Sequence, residues 1–110
     1  MPLMELTYEE GALTPEARDQ LVENLTTNLL KAEGAPNTEF FRSVTWVLIN
    51  ERPAALTYAG DKPGAGVVKL DVITPEGALN DDRREQMIQA GTATIREAFG
   101  IADEDALKVW

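Results

Sequence analysis

The 110-residue chain contains no cysteine and no histidine. The first absence excludes a disulfide framework, a thiolate nucleophile and a zinc-thiolate site. The second removes the commonest general base and the commonest metal ligand. Bases are scarce as well: Lys and Arg number 10 against 19 Asp and Glu, a formal net charge of -9. That balance argues against non-specific binding to nucleic acid or to an anionic membrane surface. No apolar run approaches a membrane span, and the start MPLMELTYEE lacks the basic and apolar regions of a signal peptide. The expected setting is the cytoplasm. The remaining composition, 44% hydrophobic and 26% charged, is ordinary for a globular protein, in a length that fits one domain.

The chain reads as one unit written twice. Shifted by 66 positions, MELTYEEGALTPEARDQLVENLTTNLLKAEGAP lies over LDVITPEGALNDDRREQMIQAGTATIREAFGIA without a gap. EGAL recurs at 10–13 and 76–79, followed by matched Arg18 and Arg84, Gln20 and Gln86, Thr26 and Thr92, Ala32 and Ala98, Gly34 and Gly100. The reading is a single domain, 1–110, with pseudo-repeats at 1–50 and 67–110 and a linker at 51–66.

Each copy opens with alternation: Met4, Leu6 and Tyr8 against Glu5 and Thr7, then Leu70 and Val72 against Lys69 and Asp71. Each then turns into a helix. Thr14 is the candidate N-cap of the first, Pro15 its opening residue, and Leu21, Val22, Leu25, Leu29 and Leu30 its apolar stripe. Asn80 caps the second, whose stripe is Met87, Ile88, Gly91, Ile95 and Phe99; Gly34 and Gly100 fall where left-handed C-caps belong. The run FFRSVTWVLIN (40–50) reads as a second strand, with ALKVW (106–110) as its counterpart. The linker has room for a short hairpin around 56–58.

Strand, helix and parallel strand, repeated, predict an α/β fold: tandem β-α-β units forming a four-stranded mixed sheet with two helices on one face. The other face, with Leu3, Val67, Ile73 and alternate residues of 41–49, is left for a symmetric oligomer to cover. An end inside an apparent strand at Trp110 implies that this edge joins a neighbour or continues into a further tail.

Three motifs are set aside. GDKPGAG lacks the Gly-Lys-Ser/Thr ending of a phosphate loop and reads as a connector. Asp103, Glu104 and Asp105 lack the spacing of a calcium loop and read as a solvated turn, so no metal site is expected. NLT at 24–26 matches a glycosylation acceptor but falls mid-helix. Pro2 differs from these. Inside a chain a proline nitrogen carries no proton and is not basic, but with Met1 removed Pro2 becomes a secondary amine, placed where the first unit begins.

On these residues the chain resembles the tautomerase superfamily, whose members use an N-terminal proline on a β-α-β unit. PLMELTYEEGALTPEARDQL looks like the family's first strand, turn and helix, and VTWVLINERP like its second strand. Two fused units are similar to the cis-3-chloroacrylic acid dehalogenase, malonate semialdehyde decarboxylase and macrophage migration inhibitory factor groups rather than to the single-unit 4-oxalocrotonate tautomerase group. The resemblance implies a homotrimer. It also implies a cofactor-independent isomerase in which Pro2 moves a proton between oxygen and carbon of a small anionic 2-keto or enol acid. An apolar pocket would lower the amine's pKa toward neutrality.

Residue by residue, Pro2 matches the catalytic proline, while Val68 holds the equivalent position of the second copy. Glu39 falls where the decarboxylase group carries its catalytic aspartate, and would activate water if the chemistry extends to hydration or decarboxylation. Leu29 replaces the histidine of the dehalogenase group, and Pro75, Gly77 and Ala78 stand where its arginine pair is expected. The carboxylate grip therefore passes to Arg42 or Arg52, with Tyr58 and Trp46 shaping an apolar wall. Two alternatives stay open: a dehalogenase, hydratase or decarboxylase of a small three-carbon acid, and a non-enzymatic trimeric binding protein with a vestigial site.

Overall fold

A computed structural model describes residues 2–101 and Val109. In chain order it contains strand β1 (Leu3–Glu9), helix α1 (Pro15–Glu33), a short helix α2 (Glu39–Ser43) and strand β2 (Trp46–Arg52). A single 3-10 turn (Ala54–Leu56) and a two-stranded hairpin, β3 (Tyr58–Ala59) and β4 (Lys62–Pro63), follow. Strand β5 (Lys69–Ile73) and helix α3 (Asp81–Phe99) complete it. The main sheet has the order β2-β1-β5, with β1 parallel to β2 and antiparallel to β5. A parallel bridge from Val68 to Val109 marks a fourth position beside β5. The rest of the strand expected at 106–110 lies outside the described residues.

Alternation on β1 decides which face is covered. Met4, Leu6 and Tyr8 are almost fully buried, and they cluster with Leu21, Leu25 and Leu29 of α1 and Met87 and Ile95 of α3. Both long helices therefore lie on one face of the sheet. Each fully buried Leu or Ile contributes roughly 1.5–3 kcal/mol relative to exposure. The opposite face carries Leu3 with Trp46 (62% exposed), Leu48 (45%) and Ile73 (57%), an uncovered apolar strip as expected. Ile88 departs from its expected place in the α3 stripe, since it is 61% exposed.

The helices obey the same spacing as the sequence repeat. Both span 19 residues, and their first residues, last residues and caps all differ by 66. Thr14 Oγ1 accepts from the Ala17 N–H at 3.1 Å and Asn80 Oδ1 from the Arg83 N–H at 2.8 Å. Gly34 and Gly100 close the helices at φ 69° and 64°, a left-handed conformation that favours glycine. Between the helices Asn28 Nδ2 donates to Thr94 Oγ1 at 2.7 Å, a pair itself 66 residues apart. In the sheet Glu5 lies opposite Asp71, again 66 apart, and the pair Leu3 and Ile73 is mirrored by Thr7 and Lys69. A local twofold relation thus passes through both layers.

The run 40–50 is not one strand. Thr38 Oγ1 accepts from the Phe41 N–H at 3.3 Å, capping α2, and Arg42 ties that helix back to α1. The β-branched and aromatic residues of 40–45 are thereby drawn into a helical turn, and the ladder begins only at Trp46.

Candidate active site

Pro2 sits immediately before β1, and its carbonyl accepts from the Trp46 N–H at 3.2 Å. Having no N–H to donate, a proline at the start of a strand forfeits nothing that the ladder needs. The residue is fixed by its carbonyl at the end of β1, where α2 and the C-terminal end of α1 meet the start of β2. There a cleft of about 420 Å³ is lined by Pro2, Leu30, Glu33, Phe40, Phe41 and Ala78, with Ala35, Val44 and Thr45 completing it. The wall is mostly apolar. Thr45 uses its hydroxyl to donate to the Phe41 carbonyl at 2.8 Å.

Glu33, the last residue of α1, is the one ionisable side chain among these lining residues. Burial raises its carboxyl pKa above the ordinary glutamate value, and the positive charge of the chain's amino terminus partly opposes this. Reading the sequence alone passed over Glu33, because a helix-terminal acid beside Gly34 looks like a solvated end. The signal that could have found it is the same shift of 66, which sets Glu33 opposite Phe99 and Pro2 opposite Val68.

The other candidate residues are distributed unequally. Glu39 opens α2 and is exposed, outside the cleft lining. Arg42 Nη1 donates to Thr27 Oγ1 and Asn37 Oδ1, both at 3.0 Å, and Nη2 to the Glu23 carbonyl at 3.2 Å. Its guanidinium is thus committed to holding α2 on α1. Trp46 is near Pro2 through the backbone, but its side chain lies on the uncovered face beside Leu3. Arg52 pairs with Glu9, seven positions along β1 from Pro2 and so roughly 20 Å away at the rise of a strand. Tyr58, 57% exposed, belongs to the hairpin at that same far end.

That far end is charged and hydrogen-bonded. Glu9 accepts from Thr57 Oγ1 at 2.7 Å and from the Gly66 N–H at 2.8 Å, which lower its carboxyl pKa and pin the linker to β1. Arg18 reaches Glu51 at 3.7 Å. A second cavity of about 410 Å³ lies between β5 and α3, lined mainly by apolar side chains; its Arg84 pairs with Asp81. Among the described residues no three carboxylates converge as a metal site, and no helix is long and apolar enough to cross a membrane.

No family model and no curated protein matches the chain. Solved structures do. Pt0534 inactivated by 2-oxo-3-pentynoate superposes with a TM-score of 0.82 at 22% identity, covering 97% of this chain and 79% of that one. The chain has the tautomerase-superfamily fold. A wild-type fused 4-OT, solved as a symmetric trimer, gives 0.77 at 19% identity, covering 97% and 79%. N1, a member of the cis-3-chloroacrylic acid dehalogenase family, gives 0.77 at 16%, covering 98% and 70%. Within this tautomerase fold the loop of Pro75, Gly77 and Ala78, where the resemblance expects arginines, does border the Pro2 cleft through Ala78. Among the described residues the cleft lining holds no lysine or arginine.

Proposed function

We propose that the chain, once Met1 is removed, is a homotrimeric, cofactor-independent tautomerase that interconverts keto and enol forms of a small 2-keto acid, with Pro2 as the proton carrier at carbon. The observation that carries this reading is the place of Pro2: a half-buried residue at the mouth of an apolar cleft, held by its carbonyl so that its nitrogen is free to be an amine. An amine beside an apolar wall is disfavoured in its charged form, which brings its pKa toward the range useful for proton transfer at neutral pH. The structural likeness to fused 4-OT, and to a protein inactivated by a small 2-oxo acid, supports the choice of substrate class.

A carboxylate substrate needs a positive partner, and the described lining of this cleft holds no lysine or arginine. Arg52, exposed at the far end of β2 with its backbone in the ladder and its side chain bonded to no described residue, is our candidate for that grip. It would act on the cleft of a neighbouring subunit, with Tyr58 beside it. The uncovered strip of Leu3, Trp46, Leu48 and Ile73 supports association of copies through the sheet face. Two pseudo-repeats, 1–50 and 67–110 around a linker at 51–66, are part of the same proposal, supported by the recurring spacing of caps and helices.

The test is ketonisation of an enolpyruvate by protein shown by intact mass to begin at Pro2. Pro2→Ala is expected to lose about 10²–10⁴ of the rate, the usual worth of a positioned acid-base group. Equal rates for the two proteins would overturn the mechanism. The absence of lysine and arginine from the described lining favours one second reading, a trimeric binding protein that keeps the fold without the reaction; it predicts no acceleration by the wild-type chain at all.

A further inference from the structure

We propose that Glu33 is a second catalytic residue, the group that takes the proton from the substrate's enol oxygen while Pro2 delivers one to carbon. This rests on the tautomerase reading above and assigns the half of the reaction that reading leaves open. Glu33 and Pro2 line the same cleft of about 420 Å³, and every other residue of the lining is apolar except Thr45. The hydroxyl of Thr45 is already given to the Phe41 carbonyl, so Glu33 is what the lining offers an oxygen-bound proton.

The geometry leaves the Glu33 carboxyl available. The contact that holds this residue runs through its backbone: Arg83 Nη1 donates to the Glu33 carbonyl at 3.2 Å. That guanidinium also packs 3.4 Å from where a Cβ on Gly34 would stand. The side chain has no hydrogen bond or ion pair to any described residue. Charged groups that face it or stand on the elements around it are Arg83 from α3, the amino-terminal charge that acts on this carboxyl, Lys31 on α1, and Glu39 and Arg42 on α2, Arg42 being committed to Thr27, Asn37 and Glu23. The upward pKa shift that burial gives this carboxyl makes it a stronger base than a solvated glutamate when ionised.

The shift of 66 residues isolates the same two positions. Pro2 corresponds to Val68, 3% exposed, and Glu33 to Phe99, whose ring meets Tyr8 edge-on at 5.3 Å. The chemistry-bearing positions of one copy are thus packing positions in the other.

In the ketonisation direction the enol O–H proton passes to the Glu33 carboxylate and the O–H electron pair becomes the carbonyl π bond. The C=C pair then takes a proton from the Pro2 ammonium. Glu33 ends protonated and Pro2 neutral, and exchange with water restores both. The rate should therefore rise as Glu33 ionises and fall as Pro2 loses its proton, a bell-shaped pH dependence.

The experiment measures ketonisation of an enolpyruvate against pH for wild type, Glu33→Gln, Glu33→Asp and Pro2→Ala, with thermal melts to confirm folding. Expected are a fall of about 10²-fold in kcat for Glu33→Gln with loss of the acidic limb, and partial activity with that limb present but displaced along the pH axis for Glu33→Asp. A Glu33→Gln protein that keeps both kcat and the acidic limb, while Pro2→Ala is inactive, overturns this inference and leaves the reading of Pro2 standing. A Pro2→Ala protein as fast as wild type, or an inactive wild type, overturns both. Should Glu33→Gln fail to fold, an acidic limb unchanged in Glu33→Asp overturns the inference on its own, because a shortened carboxyl must shift that limb.

Discussion

The halves of the molecule related by the 66-residue shift share a frame and differ in chemistry. Their helices have equal lengths, caps of one kind and left-handed glycine ends, and they meet through Asn28 and Thr94 at corresponding positions. Their cleft positions diverge: Pro2 and Glu33 on one side, Val68 and Phe99 on the other, both packed against the core. Burial and capping alone thus suffice for a strand and helix at either position, while under the proposed function a reactive group needs only one of the two positions to be spared from packing. The first half carries in Glu33 a half-buried carboxyl that bonds to no described residue, where the second half packs Phe99.

If the halves are equivalent as scaffold, equivalent core truncations should weaken the protein equally. Leu29→Ala and Ile95→Ala remove side chains that are 0% and 1% exposed at corresponding positions. Each should lose about 2–5 kcal/mol in urea unfolding. A tolerant Ile95→Ala beside a crippling Leu29→Ala would break the comparison. Smaller effects come from the caps: Thr14→Ala and Asn80→Ala each remove one acceptor from a first-turn N–H and should cost about 1 kcal/mol. Unequal losses there would show that one helix leans on its cap more than the other.

The smallest effect separates the halves rather than matching them. Burial raises the Glu33 pKa, so the folded chain holds that proton more tightly than the unfolded chain does. Stability is then lost as pH rises from the ordinary value of 4.5 through the folded value. Glu33→Gln escapes this loss, and its melting temperature should gain on wild type between pH 4 and pH 8. A constant difference across that range would mean that the carboxyl is fully solvated.

Much of the frame was legible because local rules and global packing agree there. Alternation picked out Met4, Leu6 and Tyr8 for burial, and Thr14, Asn80, Gly34 and Gly100 fell at the helix ends that the structure shows. Residues 40–45 misled, because their aromatic and β-branched character matches a strand while a local cap at Thr38 and the tertiary clamp of Arg42 on α1 hold them in a helical turn. The site was harder to read than the frame. Arg42 has the charge that a substrate carboxylate wants, yet its guanidinium is committed to three acceptors that no spacing reveals. Glu33 was hidden because its partial burial comes from the meeting of elements distant in the chain.

Pro2 is joined to the sheet through its carbonyl, by the Trp46 N–H at 3.2 Å, and that bond is the same whether its nitrogen is an amide or an amine. Under the proposed mechanism, processed and unprocessed chains then share this attachment to the sheet and differ by one residue, Met1. Melting curves and circular dichroism would read a mixture as a single species. The concentration of working sites is the concentration of processed chains, so a low specific activity measures incomplete maturation before it measures a slow enzyme.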